Sequence, residues 1–141
     1  MIVLAALAIF STLTMNPPPA RAEQPAKSAI SGIVCRTEMM SWNFVESEDQ
    51  FPKCAVPIES VQISIRYPDG HAVTVETDEV GYFSFEDIER PTPGTSITFM
   101  RTSYEGFREN TFGHKEGAQG NSVLLFVTLR PVICEIPVKK Q

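Results

Sequence analysis

The stretch Thr77-Asp78-Glu79-Val80-Gly81-Tyr82-Phe83-Ser84-Phe85 writes a turn and a strand into one short run of sequence. Asp78 can bond its side-chain oxygen to amides two residues on, and Gly81 can take the positive φ that closes a tight reversal. Beyond the glycine, Phe83 and Phe85 alternate with Tyr82 and Ser84, the period of a strand with one aromatic face turned to a core. Upstream, Val73, Val75 and Thr77 alternate with Thr74 and Glu76, so residues 71–85 read as a β-hairpin whose register Asp78 and Gly81 set. The role of those two residues is structural.

The same period recurs outward in both directions. Residues 29–36 read as a first strand, with Gly32 marking a bulge or a close backbone approach. Val61, Ile63, Ile65 and Tyr67 share one face of a second, and Tyr67-Pro68-Asp69-Gly70 turns the chain. After the hairpin, Ile88 is expected to reach the core and Pro91-Thr92-Pro93-Gly94 to turn the chain again. A strand over 95–102 follows with Ile97 and Phe99 inward, then one over 107–112. In the last, residues 122–130, Val123, Leu125, Val127 and Leu129 share one face while Leu124 and Phe126 occupy the other. That strand is either covered on both sides or presents an apolar patch. Seven short strands between Gly, Pro, Asp and Asn turns, with no amphipathic helix, predict an all-β, antiparallel-rich Greek-key β-sandwich.

Residues 37–57 break the period. They carry Met39, Met40, Trp42 and Phe44, then turn acidic at Glu46, Glu48 and Asp49, and are expected to form a long loop of the functional or flexible kind. The four apolar side chains either present an adaptable contact surface or, for Trp42 and Phe44, fold back over an open end of the sandwich.

Residues 1–22 read as a secretory signal: a short apolar run ends at Ala20-Arg21-Ala22, a small-x-small cleavage pattern, and the run is shorter than a spanning helix needs. Cleavage leaves residues 23–141 as one domain with no stable membrane span, and retention as an anchor is the alternative. Localisation is expected to be periplasmic or secreted. The net charge of the 141 residues is −5, a balance that argues against nucleic acid as a partner. Three cysteines, Cys35, Cys54 and Cys134, in an exported chain predict one disulfide and one thiol left over, the pairing being open between Cys35–Cys54 and Cys35–Cys134.

Several pieces, in order, resemble the carboxypeptidase regulatory-like domains. They are Ser31-Gly32-Ile33-Val34, Pro57-Ile58-Glu59-Ser60-Val61-Gln62-Ile63, the Thr77 to Phe85 stretch, Pro93-Gly94, Glu105-Gly106-Phe107 and Val127-Thr128-Leu129. They cover nearly all of residues 23–141 except 37–57. The resemblance implies a transthyretin-like (prealbumin-like) sandwich, in the same broad class as immunoglobulin-like sandwiches, serving as a non-catalytic accessory module. It brings no shared catalytic residues with it.

Chemistry-bearing motifs are sparse. His71 and His114 stand beside turn glycines without companions at ligand spacing, so no metal or cofactor is expected. Asp69, Asp78 and Glu79 are too few for calcium, which takes 6 to 8 oxygens. A hydroxyisourate hydrolase shares the transthyretin-like fold, but that family ends in Tyr-Arg-Gly-Ser with a histidine and arginine cluster, whereas this chain ends Ile136-Pro137-Val138-Lys139-Lys140-Gln141. The expected function is therefore a non-enzymatic binding module making protein or carbohydrate contacts in the cell envelope through Met39, Met40, Trp42 and Phe44 or through Leu124 and Phe126. A structural homo-oligomer is the first alternative and a small hydrolase the second.

Overall fold

Phe83 and Phe85 stand on the inner side of one sheet, and Phe83 meets Phe99 of the other with ring centroids 6.1 Å apart. The computed structural model describes residues 27–115, 118 and 120–133. The signal expected over 1–22 and Cys134 lie outside the described residues. Among the described residues there are eight strands: β1 (Lys27–Arg36), β2 (Ser41–Val45), β3 (Gln62–Arg66), β4 (Ala72–Glu76), β5 (Tyr82–Glu89), β6 (Ser96–Met100), β7 (Phe107–Glu109) and β8 (Ser122–Leu129). They form two four-stranded sheets, β2-β8-β1-β5 and β4-β3-β6-β7. Every neighbouring pair is antiparallel except β1 with β8. The core between the sheets takes Ile30 and Val34 from β1, Ile63 and Ile65 from β3, Ile97 and Phe99 from β6, and Val123, Leu125, Val127 and Leu129 from β8. The β-sandwich expected from the alternation is the fold observed.

The strand count corrects the expectation of seven. The eighth strand, β2, lies inside residues 37–57, which were expected to be a loop throughout, and pairs Ser41 to Val45 with Thr128 to Leu124 of β8. Five residues are too few for alternation to stand out beside Met39 and Met40. The pairing is secured by β8, a strand that lies far along the chain. A disulfide joins Cys35 and Cys54, whose Cα atoms are 5.8 Å apart, and a closed loop of this length stabilises by about 3 kcal/mol in the chain-entropy account. Arg36 donates to Val56 O and Ile58 to Val34 O, which stitches the segment after Cys54 to the end of β1.

The expected hairpin over residues 71–85 is also corrected. Its turn forms as read: Asp78 Oδ1 accepts from the amides of Val80 at 3.0 Å and Tyr82 at 2.9 Å, and Gly81 has φ 77°. Yet β4 and β5 belong to different sheets. The reason is Thr77, 5% exposed, whose hydroxyl donates to Ile58 O at 2.7 Å and accepts from Val61 N at 2.9 Å. Those bonds hold the end of β4 to the start of β3, while Gly81 O accepts from Val34 N of the opposite sheet at 2.8 Å. The four-residue turn is thus an arch between layers.

Of the two readings of Gly32, the close approach holds. The ladder irregularity of β1 falls between Ser28 and Ile30 instead. A Cβ on Gly32 would overlap the Leu125 carbonyl oxygen and sit 2.9 Å from the Phe83 ring.

At the end of the sandwich where β3 turns into β4, Tyr67 clasps the two sheets. Its hydroxyl donates to Glu89 O at 2.5 Å and its ring stacks on His71 with centroids 4.4 Å apart. His71 Nδ1 lies 2.5 Å from Asp69 Oδ1 and its Nε2 3.5 Å from Glu89 Oε2. Burial, and then the charge of Glu89, push the Tyr67 phenol up to about 12.

Two outcomes are expected. Gly32→Ala should lower the unfolding free energy by about 3 kcal/mol in a urea titration, because a backbone carbonyl cannot move aside; a loss under about 1 kcal/mol would contradict the close packing of β1 on β8. Because the Tyr67 pKa is raised in the fold, its contribution is complete below the ordinary tyrosine range and is lost as pH rises toward about 12. In an ultraviolet titration, Tyr67→Phe should therefore remove the latest-ionising tyrosinate component, and a curve that loses an earlier one would contradict the clasp.

Candidate binding surface

Trp42 and Phe44 alternate with Ser41, Asn43 and Val45 on β2, which turns both rings inward at the open side of the sandwich. There they meet Phe107 of β7 and Phe112 of the short 3-10 turn Phe112–His114. The Trp42 ring lies 5.2 Å from Phe44, 6.3 Å from Phe107 and 5.7 Å from Phe112. Lys115 Nζ stands 5.6 Å from the Trp42 centroid. Glu109 accepts from the Thr111 hydroxyl, the Thr111 amide at 3.0 Å and the Trp42 side chain, and these bonds together with the Lys115 charge hold its carboxyl below the usual range. The rings thus fill the gap between edge strands β2 and β7, with Phe112 buried and Trp42, Phe44 and Phe107 half-buried.

Leu124 and Phe126 occupy the outer face of the sheet, in rows with Val45, Asn43 and Ile33 of the flanking strands. Phe126 is 8% exposed and Leu124 half-buried. Cys35 projects on that same outer face, so its bond to Cys54 brings the chain leaving β2 back past β8 and over β1.

Met39 and Met40 are elsewhere, on the connection that rounds the end of β8. Met39 is 78% exposed, while its carbonyl accepts from the hydroxyls of Thr37 at 2.5 Å and Thr128 at 2.7 Å. The methionines have company that alternation does not reveal. All the large apolar side chains exposed among the described residues, Met39, Met40, Val56, Val80, Tyr82, Met100, Val132 and Ile133, lie at the end where β1, β4, β6 and β8 finish and β2, β3, β5 and β7 begin. The two sheets are tied together at this end: Glu105 N donates to Arg130 O and Val132 N to Ser103 O, both at 2.9 Å. Arg130 grips the Glu105 carboxylate with two bonds, at 3.0 and 2.7 Å, which hold that carboxyl below its usual range.

Two grooves open on the same end. One, of about 570 Å³, is lined by Arg36, Thr37, Glu38, Val56, Arg130, Pro131 and Ile133. The other, of about 430 Å³, lies between the start of β3 and the 101–106 connection, with Met100 and Tyr104 in its wall. The opposite end carries Lys27, the Asp69–His71–Glu89 group and the turn at Pro91 to Gly94, and no large apolar side chain is exposed there among the described residues.

The residues that the sequence reading missed come from four separate places in the chain, Val56, Val80 with Tyr82, Met100, and Val132 with Ile133. Val56 precedes Pro57, Val80 precedes Gly81 and Val132 follows Pro131. An apolar residue beside a turn residue was the available signal.

Among the described residues no group of three or more His, Cys, Asp or Glu is arranged to hold a metal ion, and no helix is long and apolar enough to cross a membrane.

No protein-family model and no curated protein matches the chain. Among solved structures it is similar to the Bacillus anthracis TIE protein, at 16% identity and a TM-score of 0.45, over 76% of this chain and 18% of that one. It is also similar to a protein from Eubacterium rectale solved by NMR, at 16% identity and a TM-score of 0.42, over 79% of this chain and 93% of that one.

Proposed function

We propose that the chain is a non-catalytic accessory module, resembling the carboxypeptidase regulatory-like domains, that works in the periplasm or outside the cell and holds a partner protein on the apolar end of its sandwich. The observation that carries this reading is the segregation of exposed apolar side chains. Met39, Met40, Val56, Val80, Val132 and Ile133 cost free energy in contact with water and stand on connections that the core does not require them to occupy. A contiguous apolar surface rimmed by polar groups is the usual mark of an interaction site. Here the rim is Arg36, Glu38 and the Arg130–Glu105 pair, which supply charge for orientation. Aligned on a disulfide-braced scaffold, the loops meet a partner with little ordering cost. Export is supported by the leader over residues 1–22 and by the Cys35–Cys54 bond. The non-catalytic reading is supported by the larger groove, whose Arg130 is already held by the Glu105 carboxylate at 2.7 Å.

Met39→Ser, Val56→Ser and Ile133→Ser combined should change the unfolding free energy by no more than about 0.5 kcal/mol per site, since each side chain is exposed. The same triple variant should capture at least tenfold less of whichever envelope protein the wild type retains. Capture equal to wild type by the folded variant would overturn the assignment of this end.

A further inference from the structure

A sandwich of two open sheets has four edge strands, here β2 and β5 on one sheet and β4 and β7 on the other. Unpaired edges invite strand addition, and proteins blunt them with bulges, charge or brevity. In β5 the residue Asp87 sits at φ 55° between Glu86 and Ile88, which breaks the ladder, and β7 is three residues long. Strand β2 stands against the aromatic seal, where the Phe112–His114 turn and Lys115 close the opening. Strand β4, Ala72-Val73-Thr74-Val75-Glu76, runs unbroken and carries a single charge, Glu76, at its end.

The ladder shows which of its groups are free. Tyr67 N donates to His71 O at 2.9 Å and Thr77 N to Val61 O at 3.0 Å. Antiparallel bonding alternates, so Val73 and Val75 also direct their amides and carbonyls to β3, while Ala72, Thr74 and Glu76 direct theirs to the open side. Val73 and Val75 are only half-buried on the inner face of this edge.

We infer that β4 is a dimer edge, which a second copy of this chain joins antiparallel about a two-fold axis through Thr74. In that register Thr74 faces Thr74 of the second copy, and Ala72 faces Glu76 of the second copy. All the outward groups of the three residues then bond, giving about six hydrogen bonds across the axis. Val73 faces Val75 of the second copy on the inner side, so the half-buried valines cover one another, and no like charges are opposed.

The register also supplies a charge partner. On the outer face Arg66 is beside Ala72, whereas Glu76 is beside Gln62 at the far end of the ladder. Within one chain, therefore, Arg66 and Glu76 are not in the same row. Across the axis the row runs Arg66, Ala72, then Glu76 of the second copy. At about 4.8 Å between strands the two charged residues have Cα atoms roughly 10 Å apart, with only the Ala72 methyl between them. Extended arginine and glutamate side chains span that distance.

The test is sedimentation velocity of the purified Cys134→Ser protein over a wide concentration range. A dimer fraction that rises with concentration is expected, weakened at least tenfold by Arg66→Glu and returned to within about threefold of the parent by Arg66→Glu with Glu76→Arg. Thr74→Cys in the same background should oxidise to a covalent dimer, because directly bonded antiparallel partners have Cα atoms about 5.5 Å apart. The apolar-end variant should dimerise like the parent, which separates this surface from the proposed binding end. A monomer at every concentration, a dimer indifferent to Arg66→Glu, or no cross-link from Thr74→Cys would each overturn the inference.

Discussion

A buried threonine hydroxyl and a glycine with positive φ stand four residues apart, and the two-layer architecture depends on that pair. Thr77 is held by Ile58 O and Val61 N in one sheet, and Gly81 by Val34 N in the other. A Cβ on Gly81 would come within 2.5 Å of Val34 O, so no other residue lets the turn sit so close to β1. With the crossing fixed, Phe83 is delivered to the far side of the core against Phe99, and β3 and β1 are pulled together through Ile58 and Val34. Hydrophobic burial supplies the driving force, and this arch decides which two layers it joins.

The arch also fixes the position of the apolar end. Val80 sits at its tip, Val56 stands beside Pro57, which packs against Gly81, and Met39 rounds β8. Residues 130–132 pair with residues 103–105 across the same end. Connections distant in sequence are therefore gathered onto one plane by the same bonds that close the sandwich. At the other end Tyr67, His71 and Glu89 bind the sheets by stacking and hydrogen bonding. The molecule has two chemically different ends without any element dedicated to making them so.

Much of the fold was legible because alternation is a local property: Val61 to Tyr67, Phe83 with Phe85, and Val123 to Leu129 state their inner face within a few residues. Gly32 and the Asp78–Gly81 turn were legible for the same reason. The partner of a strand is not a local property. β4 and β5 look like a hairpin because nothing near Thr77 reveals that its hydroxyl will be claimed by Ile58 and Val61, and β2 is invisible until β8 arrives beside it. The candidate surface was legible only at Met39 and Met40. Trp42 and Phe44, apolar and in the same segment, are drawn into the seal between β2 and β7 by Phe107 and Phe112. Val56, Val80, Val132 and Ile133 each look like an unremarkable loop residue, and only the tertiary fold makes them neighbours.

The exposure of apolar side chains at one end of the sandwich is the feature on which the proposed binding rests. Mapping amide chemical shifts by NMR during titration with a small apolar dye addresses it most directly, since the dye reports exposed apolar surface without any assumption about the partner. Shifts confined to residues 37–40, 56–58, 79–82, 100–104 and 131–133 are the predicted result. Shifts centred instead on the β2–β7 seal around Trp42, or on the outer sheet face around Leu124, would contradict it.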